Sequence, residues 1–134
     1  MTPEEMAPLW PGILKCLEKY CRRFPHDETV ENIIKKCAAG HRQLWVVLDE
    51  QGQVALTPIT EISIVDATGA KRFIFCEVGG SRIKDAMPLI ADMERWAAEQ
   101  GCTEFDFVGR RGWEPLLEPY GFKPQAIIWR KRID

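Results

Sequence analysis

The stretch Gly109–Trp113, which reads GRRGW, concentrates residue types that bind ligands. Arg110 and Arg111 could bind a phosphate or a carboxylate through paired hydrogen bonds. Trp113 could stack on a base or anchor a partner protein. The alternative is structural: the glycines form a tight turn, and Trp113 packs against a sheet. The sequence leaves both interpretations open, so Arg110, Arg111 and Trp113 are candidates for anion or partner binding.

A second stretch with glycine and arginine, residues 78–82, lies between a predicted strand and a predicted helix. Free backbone N–H groups and the positive end of a helix attract an anion, and glycine lets the backbone approach a ligand closely. The alternative is a plain turn in which the serine caps the helix. The residues of this stretch that could hold such an anion are Val78, Gly79, Gly80, Ser81 and Arg82.

Two carboxylates on predicted strands are candidates for a general base. Glu61 lies on the second predicted strand, and Glu77 lies near the end of the third. Burial raises the pKa of a carboxyl group toward a value suited to proton transfer at neutral pH. Strand alternation places Glu77 on the face of Phe73 and Phe75. The alternative is that both carboxylates point to solvent.

Composition excludes several classes of function. The 134 residues suffice for one self-supporting domain, predicted to span 1–134. A net charge of −2 argues against a general nucleic-acid binder. The five cysteines are odd in number and include no CxxC pair, so we expect reduced thiols in a cytoplasmic protein and no metal site. No apolar run approaches the ~20 residues of a membrane span.

Hydrophobic periodicity predicts an α+β protein. The predicted elements are helices at about 11–23 and 30–39, strands at 44–48, 54–65 and 72–78, a long helix ending at Gly101, a strand at 104–108, a short helix at 113–117 and a last strand at 126–132. Tight turns make the first three strands antiparallel, and the long helix allows the next pair to be parallel. The result is a mixed sheet with helices on its faces.

This element order, closed by Gly121-Phe122, resembles the GNAT (GCN5-related N-acetyltransferase) superfamily over almost the whole chain. The opening block TPEEMAPLWPGI is similar to the first helix of that family. More narrowly, LWVVLDEQGQVALTPITEI, GGSRIKD, ERWAAEQGC and GRRGWEPLLEPYGF resemble small GNAT-like proteins of tailed phages and prophages. The resemblance implies a GNAT-like, mostly antiparallel sheet with helices on both faces, lacking the family's first strand.

The resemblance also implies where acetyl-CoA would bind: between two parallel strands that separate, with its pyrophosphate on the loop before the long helix. Here that loop, residues 79–82, is several residues shorter than in the family and lacks a QxxGxG or RxxGxG motif. The acid tyrosine of the family falls on Leu117. Tyr120 remains as the candidate acid, with Glu77 or Glu61 as the candidate base.

Two functions are therefore expected as alternatives. The first, which these departures favour, is a phage-type accessory protein with a reduced acyl-CoA cleft. It would act in interaction or assembly with a phage or host protein, in the host cytoplasm or on the virion. The second is an acetyl-CoA-dependent N-acyltransferase acting on an amine of a small molecule or a protein. Neither implies a metal.

Overall fold

Five helices and five strands form the described part of the chain, which in this computed structural model comprises residues 3–25, 27–80, 83–109 and 111–133. The side chains of Glu77 and Arg111 also lie outside the description. The helices are α1 (Pro3–Met6), α2 (Trp10–Arg23), α3 (Val30–Ala38), α4 (Ile90–Glu99) and α5 (Glu114–Leu117). The strands are β1 (Gln43–Leu44), β2 (Val47–Leu48), β3 (Val54–Ile64), β4 (Lys71–Gly80) and β5 (Cys102–Phe107).

All five of these strands belong to one sheet with the order β1-β3-β4-β5. On one side β3 pairs antiparallel with β1 and β2, and on the other it pairs antiparallel with β4. The last strand, β5, adds to β4 in parallel, because the chain crosses over through α4 between them. The predicted mixed α+β sheet is confirmed.

Helices cover both faces of the sheet. On one face, α2 and α3 bury Ile13, Leu17 and Ile33 against Ile59 of β3. On the other, α4 buries Met93 and Ala97 against the phenylalanines of β4. These helical residues recur every three or four positions, which is the spacing that places side chains on one side of a helix. Among the described residues, no helix is long and apolar enough to cross a membrane.

Two prolines affect where regular secondary structure is interrupted or begins. Pro58 accepts a hydrogen bond from the backbone N–H of Trp45 (2.9 Å) but has no N–H to return. The predicted strand at 44–48 is accordingly divided into β1 and β2. Pro88 lies in a 3-10 turn, Ile83–Leu89, so the regular helix α4 begins only at Ile90.

The predicted last strand at 126–132 is wrong. Residues 122–133 have no regular secondary structure, and residues 123–133 are exposed. Local sequence favours a strand there, since isoleucine and tryptophan suit a pleated sheet. However, a strand needs a partner, and none of the described strands pairs with this part of the chain.

Candidate functional site

The strands β4 and β5 separate before β4 ends. Their parallel register runs from Lys71 opposite Cys102 to Phe75 opposite Phe107, and the backbone N–H of Val108 donates to the carbonyl of Phe75 (3.0 Å). Here β5 ends, whereas β4 continues for residues 76–80, with no strand of the described chain beside it on that side. The backbone of this part of β4 is therefore open to a ligand that can pair with it as a strand does.

A β-bulge lies where the two strands separate. Across the β3–β4 ladder, Thr60 faces Phe75, but Ile59 faces Glu77, so Cys76 is an extra residue on β4. A bulge leaves the backbone groups of the extra residue out of the regular ladder. The bulge also interrupts the alternation from Phe75 to Glu77. Alternation therefore does not place Glu77 on the face of Phe75, and the side chain of Glu77 lies outside the description.

Aromatic rings form the wall of this opening on the α4 side. The rings of Phe75 and Phe107 stack at 4.1 Å between centroids. Phe107 also meets Phe122 edge-on at 5.2 Å. Gly121, with a φ of 89°, turns the chain so that Phe122 can reach these rings. The turn at Gly121-Phe122 thus completes the apolar wall of the opening.

Gly109 and Trp113, the two ends of the GRRGW stretch, pack against each other. The indole of Trp113 lies against the backbone of Gly109, where a Cβ atom would overlap ring atoms Cε3 and Cζ3. The same indole meets Phe107 edge-on at 6.3 Å and is partly buried. This supports the structural interpretation for Trp113. Arg110 and the side chain of Arg111 lie outside the described residues, so anion binding by them stays a prediction.

Residues 78–80 belong to β4 rather than to a loop. Val78 is partly buried and packs against the α4-side core, and Gly79 and Gly80 face Thr57 and Leu56 of β3. The strand therefore ends two residues beyond its predicted end at Val78. Ser81 and Arg82 lie outside the described residues, and only these two positions separate β4 from the 3-10 turn at Ile83.

Glu61 and Tyr120 lie in different surroundings. An oxygen of Glu61 accepts a hydrogen bond from Arg42 Nε (3.3 Å), and Arg42 also pairs with buried Glu28 (3.5 Å). This ion cluster lies beside α3, because Lys36 of that helix joins it through Glu28 at 3.4 Å. Tyr120 ends a 3-10 turn and is 46% exposed. These contacts do not link Glu61 to Tyr120, and the roles of candidate base and candidate acid stay predictions.

Sequence reasoning missed one polar group beside β4. The side chain of Thr57, opposite Gly79 in the ladder, is fully buried, and its Oγ1 has no hydrogen-bond partner among the described residues. A buried hydroxyl without a partner costs roughly 1–3 kcal/mol. No sequence signal distinguishes Thr57 from Thr60, whose hydroxyl bonds both Trp45 and Gln43.

A cleft of about 640 Å³ lies on the α2 side of the sheet. It runs between α2, the start of β3 and Asp85, close to the end of β4, and Lys15, Lys19 and Asp49 also line it. Gly12 lets α2 approach β3, since a Cβ there would be 2.9 Å from that of Val54. Sequence reasoning cannot find this cleft, because segments that are far apart in the chain form its walls.

The thiol of Cys16 also lines this cleft. Its pKa is raised by burial, an effect that the nearby ammonium groups of Lys19 and Lys15 oppose only in part. The thiol therefore remains protonated at neutral pH, and its Sγ lies 3.8 Å from the carbonyl of Ala55. Among the described residues, no group of three histidines, cysteines or carboxylates is placed to hold a metal ion.

Solved structures share this arrangement over nearly the whole chain. An acetyltransferase from Trypanosoma brucei is 15% identical, with 94% of each chain covered and a TM-score of 0.68. An aminoglycoside 6'-N-acetyltransferase from Acinetobacter baumannii is 18% identical, with 99% of this chain and 96% of that one covered and a TM-score of 0.65.

Glucosamine-6-phosphate N-acetyltransferase from Arabidopsis thaliana is 18% identical, with 92% of this chain and 90% of that one covered and a TM-score of 0.63. No protein-family model and no curated protein matches the sequence. With the separated β4 and β5 and the helices on both faces, these likenesses show that the chain has the GNAT fold.

Proposed function

We propose that the protein is an acetyl-CoA-dependent N-acyltransferase whose acyl-CoA lies along residues 76–80 of β4. The observation that carries this proposal is the separation of β4 from β5 beyond Phe75 and Phe107, next to the bulge at Cys76. The arm of coenzyme A contains two amide groups in an extended chain. Such a chain can pair with a free strand backbone.

The residues around this opening fit that cofactor. The rings of Phe75 and Phe107 give an apolar wall for its methylene groups, and Gly79 and Gly80 leave the backbone uncovered. Ser81 and Arg82 remain the residues that we expect to contact the pyrophosphate.

Acyl transfer needs an amine to attack the thioester carbonyl, a base to take the proton of the amine and an acid to protonate the leaving thiolate. A hydrogen-bond donor of the protein would stabilise the carbonyl oxygen as negative charge develops on it. Glu77 follows Cys76 directly and is the favoured base, since Glu61 is paired with Arg42. Tyr120 stays the candidate acid. The cleft between α2 and Asp85 has room for the amine substrate.

Calorimetric titration of the purified chain with acetyl-CoA tests the proposal. We expect a dissociation constant in the micromolar range, which corresponds to about 8 kcal/mol of binding free energy at 1 μM. Desulfo-CoA without an acyl group should bind less tightly. An absence of binding at millimolar acetyl-CoA would contradict the proposal.

A second candidate is the accessory role in interaction or assembly, in the host cytoplasm or on the virion of a tailed phage. The observation that favours it is Trp129, a large apolar residue that is 88% exposed. Exposed tryptophan is a frequent anchor of protein interfaces. In that case the chain would bind no acetyl-CoA and would co-purify with a phage or host protein at a fixed stoichiometry.

A further inference from the structure

The opening beside β4 has a closed end, at the point where β4 and β5 separate. At this end the backbone N–H of Val108 donates to the carbonyl of Phe75 (3.0 Å) and holds the two segments together. The other end lies at Gly80, on the side where we expect the pyrophosphate. A cofactor arm laid along residues 76–80 would therefore direct its acyl group toward the closed end.

Two aromatic rings fill the closed end on the α4 side. Phe75 and Phe107 are partners in the parallel register, and their rings stack at 4.1 Å between centroids with 14° between their planes. Carbon atoms in contact lie about 3.5–4.0 Å apart, so no methylene group fits between these rings. Phe75 is buried, whereas Phe107 is partly buried and is the last residue of β5. Of the two rings, Phe107 is therefore the one beside which an acyl group would lie.

Other aromatic groups hold the ring of Phe107 in place. Phe122 meets it edge-on at 5.2 Å, and Trp113 meets it edge-on at 6.3 Å. Trp113 is itself packed against the backbone of Gly109, and Phe122 also packs on the ring of Phe105 at 5.1 Å. Packed side chains of this kind yield little, because protein interiors are as dense as organic crystals. Phe107 therefore cannot easily move aside for a longer acyl chain.

The length of the acyl group determines whether it fits against this ring. An acetyl group has a single methyl group beyond its carbonyl carbon, whereas a butyryl group has two additional methylenes. One methylene more or less in an apolar pocket discriminates between ligands by about 10–200-fold. Because the aromatic wall is packed, the size of the Phe107 side chain would set how many carbons the acyl group can have.

We propose that Phe107 restricts the acyl donor to the two-carbon acetyl group. The inference rests on the proposed binding of acyl-CoA along β4, and it adds which side chain sets the length of the acyl group. Phe107 acts through its size alone, since its ring has no group that could transfer a proton. A residue with this role changes the ratio of affinities among acyl-CoA donors.

Calorimetric titration of the full chain with acetyl-CoA, propionyl-CoA and butyryl-CoA tests this inference. The parent chain should bind butyryl-CoA at least ~10-fold less tightly than acetyl-CoA. Phe107→Leu should reduce the difference between propionyl-CoA and acetyl-CoA, because leucine is smaller than phenylalanine. Phe107→Ala should reduce the difference for butyryl-CoA as well. Circular dichroism checks that both variants fold, and Phe107→Leu, which keeps an apolar side chain, is sufficient for the test if Phe107→Ala does not.

Phe105→Leu is the matched control. Phe105 belongs to the same aromatic group on β5, but its partner in the register is Phe73, which lies further from the opening than Phe75. The change removes an equal amount of aromatic surface from the same strand. Phe105→Leu should therefore keep the preference of the parent chain for acetyl-CoA.

Three results would contradict the inference. One is equal affinity of the parent chain for acetyl-CoA and butyryl-CoA, which would leave acyl-CoA binding itself supported. Another is a preference for acetyl-CoA that Phe107→Leu and Phe105→Leu alter to the same extent, or not at all. The third is an absence of binding to all three donors, which would overturn the proposed function and this inference with it.

Discussion

The indole of Trp113 rests directly on the backbone of Gly109, at the point where β5 leads into the last helices. Gly109→Ala would place a methyl group inside the ring. We expect a loss of about 1–3 kcal/mol in the free energy of unfolding, the usual cost of overpacking. Gly112→Ala is the matched control, because a Cβ there meets nothing within 4 Å. Urea denaturation of both variants measures the difference, and equal losses would contradict this packing.

Two buried threonines on β3 should respond differently to loss of the hydroxyl. Thr60→Val removes a group that bonds both Trp45 Nε1 (2.8 Å) and Gln43 Oε1 (2.9 Å), at a cost of about 1–3 kcal/mol. Thr57→Val removes a hydroxyl without a partner among the described residues, so stability should not fall. Thermal denaturation measures the two changes in stability, and a strongly destabilised Thr57→Val would refute the absence of a partner for Thr57.

The two candidate bases can be separated by a matched pair of variants. Glu77→Gln should lower kcat of acyl transfer by 10²–10⁴-fold, the usual contribution of a general base, with little change in acetyl-CoA affinity. Glu61→Gln should reduce stability through Arg42 and keep kcat near that of the parent. A coupled thiol-release assay gives kcat for any accepted amine. The reverse ranking would assign the role of base to Glu61.

Stability should decline at alkaline pH through Cys16. Burial raises the pKa of its thiol in the folded chain, whereas the unfolded chain loses that proton at an ordinary pKa. Above about pH 8.5 the unfolded state therefore binds fewer protons than the folded state, and the free energy of unfolding falls as pH rises. Cys16→Ala should flatten this part of the profile, measured by urea denaturation at a series of pH values. An unchanged slope would exclude Cys16 as the cause.

The amino-acid sequence predicts those elements that are determined by residues close together in the chain. The apolar stripes of α2 and α3, the turn before β4 and the stop at Gly101 follow from residue type and spacing, and the structure has them. The break between β1 and β2, by contrast, lies in the strands that pair with β3 beside Pro58.

Features that depend on two segments far apart in the sequence cannot be predicted from local sequence patterns. The bulge at Cys76 can be seen only in the pairing of β3 with β4. The rule that side chains alternate between the faces of a strand therefore does not predict the face of Glu77 from that of Phe75. The expected strand at 126–132 has suitable residues but no neighbour in the described chain. That the hydroxyl of Thr57 has no hydrogen-bond partner among the described residues can be seen only in the three-dimensional structure.

The parallel pairing of Phe75 with Phe107 also sets the order in which the fold can assemble. The strands β3 and β4 are joined by a short turn and can associate early, whereas β5 joins only after about 30 intervening residues have closed a loop. The opening beside Cys76 therefore forms late, and unfolding should release β5 while the β3–β4 hairpin persists. Amide hydrogen exchange should then be faster along β5 than along β3. Because the opening exists only when β5 is in place, ligand binding reports whether folding is complete.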